Sequence, residues 1–295
     1  MVCLLPMSNL EEPLAISATL TRHLAESLCP KSCKASSCRS YHAMWQYFRL
    51  IGLIDTIASD GEFLVNSIHE LAHDGEFRRV LISASADYGM LARVIWAFRQ
   101  TTLPPEITVL DLCETPLAIN RWYAERHGLR ISTVHINILD FKPEQKFDLI
   151  CTHSFLGQLT PAMREAALAQ WHDFLRPGGK VITTARVRYG VGPAPIGFLP
   201  DEIQTFHDRA LSLAEAMKET LDLPPETLAE AAREYASNKV TLPFSSTDEI
   251  RDYFTAAGFS PVKLTTGGVS SKADRPSGPS TGWKTERVQI IAQKP

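Results

Sequence analysis

The sequence predicts an α/β fold: an open, mostly parallel sheet covered by helices on both faces. Three observations carry the prediction. From residue 80 onward, apolar runs of strand length alternate with helix-length segments, the pattern of a parallel sheet joined by crossover helices. Turn-forming residues fall between these segments. With 44% apolar and 21% charged residues in 295, the chain also has ample material for a large core.

Taken in order, residues 1–75 place their apolar positions at helical spacing and contain no obvious strand. They read as an N-terminal helical cap preceding a sheet domain over 76–295. Strands are expected at 80–83, 108–112, 132–136, 147–152, 180–184, 261–264 and 288–292, with helices around 90–99, 116–126, 161–174 and 247–257. Arg176-Pro177-Gly178-Gly179 predicts a tight turn into the fifth strand, because proline ends the helix and glycine supplies unusual dihedrals. Ser245-Ser246-Thr247 followed by Asp248 and Glu249 marks a helix start, and Gly258 its stop. An Ala-, Glu- and Leu-rich stretch at 201–237 predicts a helical insertion, about 190–240, between the fifth and sixth strands. Together with the cap it suggests a covered pocket. The connection 265–286, rich in Gly, Ser, Pro and Lys, reads as a mobile lid or a disordered segment, with Trp283 a lid anchor or an incidental surface aromatic.

Composition excludes some functions. A net charge of -3 and a sequence pI near 6.3 give no basic footprint for phosphate backbones, so the expected partner is a small molecule and not nucleic acid. No apolar run approaches the roughly 20 residues of a membrane span, and the first residues lack a basic, then apolar, leader pattern. A cytoplasmic protein with no membrane partner, monomer or homodimer, is expected. Six cysteines in this length do not make a disulfide scaffold, and Cys113 and Cys151 sit in apolar surroundings that suit buried thiols.

In an open parallel sheet, ligands bind beyond the carboxyl ends of the strands, so the residues after each strand are the site candidates. After the first come Ala84, Ser85, Ala86, Asp87, Tyr88 and Gly89, a turn of small side chains that lets a ligand approach the backbone. At the end of the second, Asp111 is placed to accept hydrogen bonds from ribose hydroxyls, with Leu112 beside it. Asn137, Ile138 and Asp140 after the third can read an adenine edge. Thr152, His153 and Ser154 follow the fourth.

This order, carried by VLISASADYG, VLDLCETPLAINRW, INILDF, FDLICTHSFLGQL, LRPGGKVITTAR, EIRDYFTAAGF and VQIIAQKP, resembles the class I S-adenosylmethionine-dependent methyltransferases over about residues 77–294. The resemblance implies a Rossmann-like sheet of seven strands, the last antiparallel. It also implies S-adenosylmethionine as cofactor, its methionine part at the 84–89 turn, its ribose on Asp111 and its adenine by Asn137 and Ile138. The turn departs from the family pattern: Ile82 stands at the usual acidic position, Ala84 and Ala86 replace the first two glycines, and Tyr88 replaces the third. Asp87 is then the candidate partner for the ligand's ammonium group. Asn137 stands where aspartate is common, with Asp140 in reserve.

Within the cap, 40–53 reads SYHAMWQYFRLIGL, with Tyr41, Trp45 and Phe48 on one helical face and His42 and Tyr47 on its flanks. Such a face can close over a sulfonium, which aromatic rings stabilise, or it can simply pack the cap onto the sheet. Trp45 and Phe48 are substrate-side candidates; Tyr41 and His42, whose polar tips need partners when buried, are catalytic candidates. His153 lies where the transferable methyl group should be in this family and suits proton acceptance near neutral pH. Ser154, Gln158 and Arg186 are further substrate contacts. Cys29, Cys33, Cys38 and His42 form a C-x3-C-x4-C-x3-H series that lacks the close pairs of common zinc sites, so they read as free thiols with no metal.

The function expected is methyl transfer from S-adenosylmethionine to a small-molecule acceptor. One alternative keeps the cofactor but has its amino group attack its own side chain and release methylthioadenosine, as azetidine-2-carboxylate synthases do. Another is a non-catalytic, methyltransferase-like partner subunit.

Overall fold

The computed structural model describes residues 10–29, 36–54, 57–73, 75–99, 101, 103–190, 192, 194–267 and 285–295. Cys33, Trp283 and most of the 265–286 connection lie outside the described residues. The central sheet is built from β1 (Arg79–Ser83), β2 (Glu106–Asp111), β3 (Ser132–His135), β4 (Phe147–Cys151), β5 (Leu175–Arg188), β8 (Val262–Gly267) and β9 (Thr285–Gln293), in the order β3-β2-β1-β4-β5-β9-β8. β1 to β5 pair in parallel, and β9 runs antiparallel to both of its neighbours. The strand order therefore reverses between β1 and β4, which opens a crevice at their carboxyl ends.

The central strands form because both of their faces are covered. All five residues of β4, Phe-Asp-Leu-Ile-Cys, are buried, as parallel strands under two helical layers require. β9 alternates instead, burying Val288, Ile290 and Ala292. α3 (Gly61–Ala72), α4 (Gly89–Phe98) and α5 (Glu114–Arg126) cover one face around Leu64, Leu91 and Leu117. α6 (Pro161–Phe174) and α9 (Thr247–Ala256) cover the other around Leu168, Trp171 and Phe254. The last two helices start for local reasons: the Thr160 side chain accepts from the Met163 N–H ahead of Pro161, and Ser246 accepts from the Glu249 N–H at 3.0 Å.

Two stretches of β5 differ from expectation. Arg176 to Gly179 is not a free turn: α6 ends at Phe174, Leu175 already pairs with Phe147 ahead of a register shift between β4 and β5, and Gly178 and Gly179 bond to the backbone of Lys294. Gly178, at φ +77, absorbs the kink. At its other end the strand continues to Arg188 because β9 pairs along its whole length, Arg188 opposite Thr285.

Two helical additions form a cover. α1 (Leu14–Leu28) packs on α2 (Ser36–Leu50), and α2 also packs on α8 (Pro225–Asn238), the partner of α7 (Pro200–Ala216) in the insertion after β5. Short strands β6 (Ile196–Gly197) and β7 (Val240–Thr241) pair at the base of the insertion. Tyr47, Phe48 and Leu53 from the cap share one apolar cluster with Phe206, Leu228 and Ala232 from the insertion. Burial of each such large apolar side chain contributes about 1.5–3 kcal/mol, so the two additions hold together as one lid. Among the described residues, no helix is long and apolar enough to cross a membrane.

Candidate active site

A cavity of about 830 Å³ lies between the carboxyl ends of the central strands and the cover formed by α2 and α8. Its floor is set by the turn after β1. Ala84 adopts φ +60, a left-handed conformation that costs a β-carbon-bearing residue energy and that glycine adopts freely. The backbone nonetheless closes there, because Ala84 N–H bonds to Leu110 O at 2.9 Å and Ser85 N–H to Asp111 Oδ2 at 2.9 Å. Asp111 Oδ1 also accepts from Cys113 N–H at 2.8 Å. Two backbone donors thus aim the carboxylate while each oxygen keeps a free lone pair. Burial pushes the Asp111 carboxyl upward, and the N–H bonds from Ser85 and Cys113 oppose it.

Gly89, the first residue of α4, is where the turn meets the cap. A β-carbon there would lie 2.8 Å from Ile57 Cγ2 and 2.9 Å from Asp87 Oδ1. Gly89→Ala is therefore expected to lower stability by about 1–3 kcal/mol in urea titrations, the usual cost of overpacking.

Asp87 borders the cavity, but its carboxylate is already engaged. It accepts from Arg49 Nη1 at 2.6 Å, Trp45 Nε1 at 2.8 Å and Gly89 N–H at 2.6 Å. Arg49 also pairs with Glu11, and Glu11 with Arg93, so two acids and two guanidinium groups form a buried chain from the cap to α4. Burial, followed by the neighbouring Arg49, pushes Arg93 down to about 10, which leaves it charged at neutral pH. Asp87, the expected partner of a ligand ammonium, pairs with the guanidinium of Arg49 in this structure.

Above the end of β4, His153 Nε2 lies 2.8 Å from Oδ2 of Asp60, which is 2% exposed. A carboxylate only accepts, so Nε2 carries a proton toward Asp60, and in the neutral ring Nδ1 is the nitrogen that can accept one. Arg287 Nε, 3.4 Å from the same oxygen, braces the carboxylate from β9. Tyr41 and Trp45, their rings 5.1 Å apart, line the cavity roof with Tyr235 of α8. Burial, with Tyr235 and the acids Asp87 and Asp111 nearby, raises the Tyr41 hydroxyl well above its usual range.

The far wall is cationic. Arg186, Arg188 and Lys239 line it, joined by Gln158, whose Oε1 accepts from Lys239 Nζ at 2.7 Å. Burial and Arg186 push Lys239 down to about 8. Arg188 is 2% exposed, and its Nε and Nη1 have no hydrogen-bond partner among the described residues. Glu234, bonded by Ser40, is the acid on the same side.

The cavity brings together most of the residues singled out in the sequence. Ala84, Ser85, Ala86, Asp87, Asp111, Leu112, Asn137, Ile138, His153, Ser154, Gln158 and Arg186 all line it. Leu112 is 69% exposed, an apolar face turned to open space, and Asn137 Oδ1 accepts from Leu139 N–H at 3.0 Å in a local turn. Four candidates are not among the lining residues. Phe48 is fully buried behind Tyr235, because α2 runs past the rim and packs this position on α8. Thr152 is buried within the sheet, Asp140 is exposed beyond the Asn137 turn, and Gly89 lies behind Asp87. His42 borders the cavity but turns Nδ1 toward Cys29 and Cys38, at 3.4 and 3.6 Å. Cys113 joins that group and is held below the ordinary thiol range by the hydrogen bond from Cys38 and by His42. The reading of the sequence missed Glu11, Arg49, Asp60, Arg188, Tyr235, Lys239 and Arg287. Only Arg188 had a signal, its alternation with Arg186 along one face of a strand.

Residues 89–179 match a family model described as a methyltransferase domain. A comparison with curated proteins finds no match. Among solved structures, a possible exported protein from Bordetella parapertussis shares 15% identity over 94% of this chain and 79% of its own, with a TM-score of 0.50. The 1,6-didemethyltoxoflavin-N1-methyltransferase of Burkholderia thailandensis shares 19% over 78% of each chain (TM-score 0.48). The N-methyltransferase NodS of Bradyrhizobium japonicum WM9 shares 12% over 78% of this chain and 85% of its own (TM-score 0.45). Residues 89–179 thus carry a methyltransferase domain, set in a seven-stranded sheet with the class I S-adenosylmethionine-dependent methyltransferase fold.

Proposed function

We propose that the protein binds S-adenosylmethionine in this cavity and catalyses transfer of its methyl group to a small acceptor that carries an anionic group. The observation that carries the reading is Asp111: a carboxylate aimed by two backbone donors, at the strand end beside the sheet's switch point, inside a covered cavity. A volume of about 830 Å³ stands toward the upper end of the ~300–1,000 Å³ range of small-ligand sites, which suits a nucleoside ligand together with an acceptor. Asp111 would hold the ribose hydroxyls, Leu112 and Ile138 the faces of the base, and Asn137 its edge. The small side chains of Ala84 and Ala86 leave room for the methionine part. When bound, the sulfonium supplies an electrophilic methyl group.

The chain's own residues do the rest. Tyr41, Trp45 and Tyr235 exclude water and turn π-faces toward a cation. His153, oriented by Asp60, accepts the acceptor's proton at Nδ1. Arg188, with Arg186 and Lys239, supports an anionic acceptor, since a buried guanidinium with unmet donors is costly until a carboxylate or phosphate meets it.

Calorimetry with S-adenosylhomocysteine tests the reading directly. The wild type is expected to bind, and Asp111→Ala to lose about 100-fold in affinity, two charge-assisted hydrogen bonds at ~1.5 kcal/mol each. Absence of heat with the wild type overturns cofactor binding. Methylthioadenosine released from S-adenosylmethionine alone, with no methylated product from any acceptor mixture, overturns methyl transfer.

A further inference from the structure

The thiol cluster beside the cavity has a geometry that packing of apolar side chains does not account for. Cys29 ends α1, Cys38 and His42 lie one turn apart on α2, and Cys113 caps the N-terminus of α5. Three chain segments therefore deliver four donor atoms to one point, all within 4.8 Å of one another. The sulfur–sulfur separations are 3.7, 3.9 and 3.9 Å, and His42 Nδ1 lies 3.4 and 3.6 Å from Cys29 and Cys38. No sulfur pair is near the ~2.05 Å of a disulfide. A tetrahedral ion with Zn–S of ~2.3 Å and Zn–N of ~2.0–2.1 Å would instead set its ligands about 3.8 Å apart, sulfur to sulfur, and about 3.6 Å apart, sulfur to nitrogen. All five separations agree with those lengths to within a few tenths of an ångström.

We propose that Cys29, Cys38, His42 and Cys113 bind one thiophilic divalent cation, zinc by ligand type, in a closed tetrahedral Cys3His site. The surroundings suit thiolates. Cys113 and Cys38 sit at the N-terminal ends of helices, where the helix dipole favours negative charge, and Thr115 Oγ1 lies 3.2 Å from Cys29 Sγ. All four positions are protein side chains, so the ion is structural: it clasps both cap helices to the turn after β2. The series read in the sequence did not include Cys113, 75 residues after Cys38, which completes this set of four. This site is independent of the cofactor reading, since metal content and affinity for S-adenosylhomocysteine are separate measurements.

The test is metal analysis of untagged protein expressed with zinc, combined with cobalt substitution. About one zinc per chain is expected. It should be retained in Cys33→Ser and Cys151→Ser and lost in Cys38→Ser and Cys113→Ser. Should these two variants fold poorly, wild-type protein loaded with Co2+ is expected to show the intense visible bands of a tetrahedral site and a thiolate-to-cobalt charge-transfer band. His42→Cys is expected to keep the metal with a shifted spectrum. Substoichiometric metal in the wild type, a cobalt spectrum without thiolate charge transfer, or loss of metal in Cys33→Ser with retention in Cys113→Ser would each overturn the proposal.

Discussion

Glu11→Ala is expected to lower the free energy of unfolding by about 3–5 kcal/mol, the cost of removing one partner from a buried ion pair. Glu11 is 7% exposed and bonds two guanidinium groups, Arg49 and Arg93, that are themselves 8% and 3% exposed. Arg49 would keep Asp87, whereas Arg93 would keep, among the described residues, the Gly89 carbonyl at 2.7 Å. The segment carrying Glu11 is also held by its backbone, since Tyr88 Oη donates to Glu11 O at 2.8 Å and Tyr123 Oη donates to Leu10 O. The loss therefore reports on the charge network and not on detachment of the segment. Urea titration measures it, and the double variant Glu11→Leu/Arg93→Met, which removes charge from both sides, is expected to lose clearly less. A loss below about 1 kcal/mol for Glu11→Ala would show that the pairs do not carry the stability assigned to them.

His153→Ala is expected to lower kcat for methyl transfer by about 10²–10⁴-fold, the usual contribution of a positioned general base. Affinity for S-adenosylhomocysteine should stay near the wild-type value, because Asp111 and the 84–89 turn are untouched. Asp60→Asn tests the orientation of the ring. An amide can donate to Nε2 and so favour the opposite tautomer, with the proton on Nδ1, where it cannot accept one from substrate. A large loss is expected from Asp60→Asn too, and the double variant should be no worse than His153→Ala alone, since the two act as one unit. Full kcat in His153→Ala would assign catalysis to positioning alone.

Much of the sheet was legible because central parallel strands read as continuous apolar runs, and the crossover pattern makes a strand's last residue a site position whatever the rest of the fold does. Asp111, Asn137 and His153 were found on that basis and all line the cavity. Residues without such a local rule were missed. Asp60 is an ordinary acid before a helix, and only its meeting with His153, 93 residues away, makes it part of a dyad. Phe48 shares a helical face with Trp45, but periodicity gives the angle around a helix and not where along it the cavity ends.

The sequence by itself determined the class of fold, the crevice at its carboxyl edge and the strand-end residues that line it, because these follow from hydrophobic period, chain connectivity and handedness, which are local or topological. Only the tertiary structure decided that Asp87 pairs with Arg49, that three thiols and an imidazole converge, and that Arg188 lines the cavity with two donors unmet among the described residues. Charge pairing and ligand convergence depend on distances between segments far apart in the chain, and packing of the cap and insertion over the sheet sets those distances.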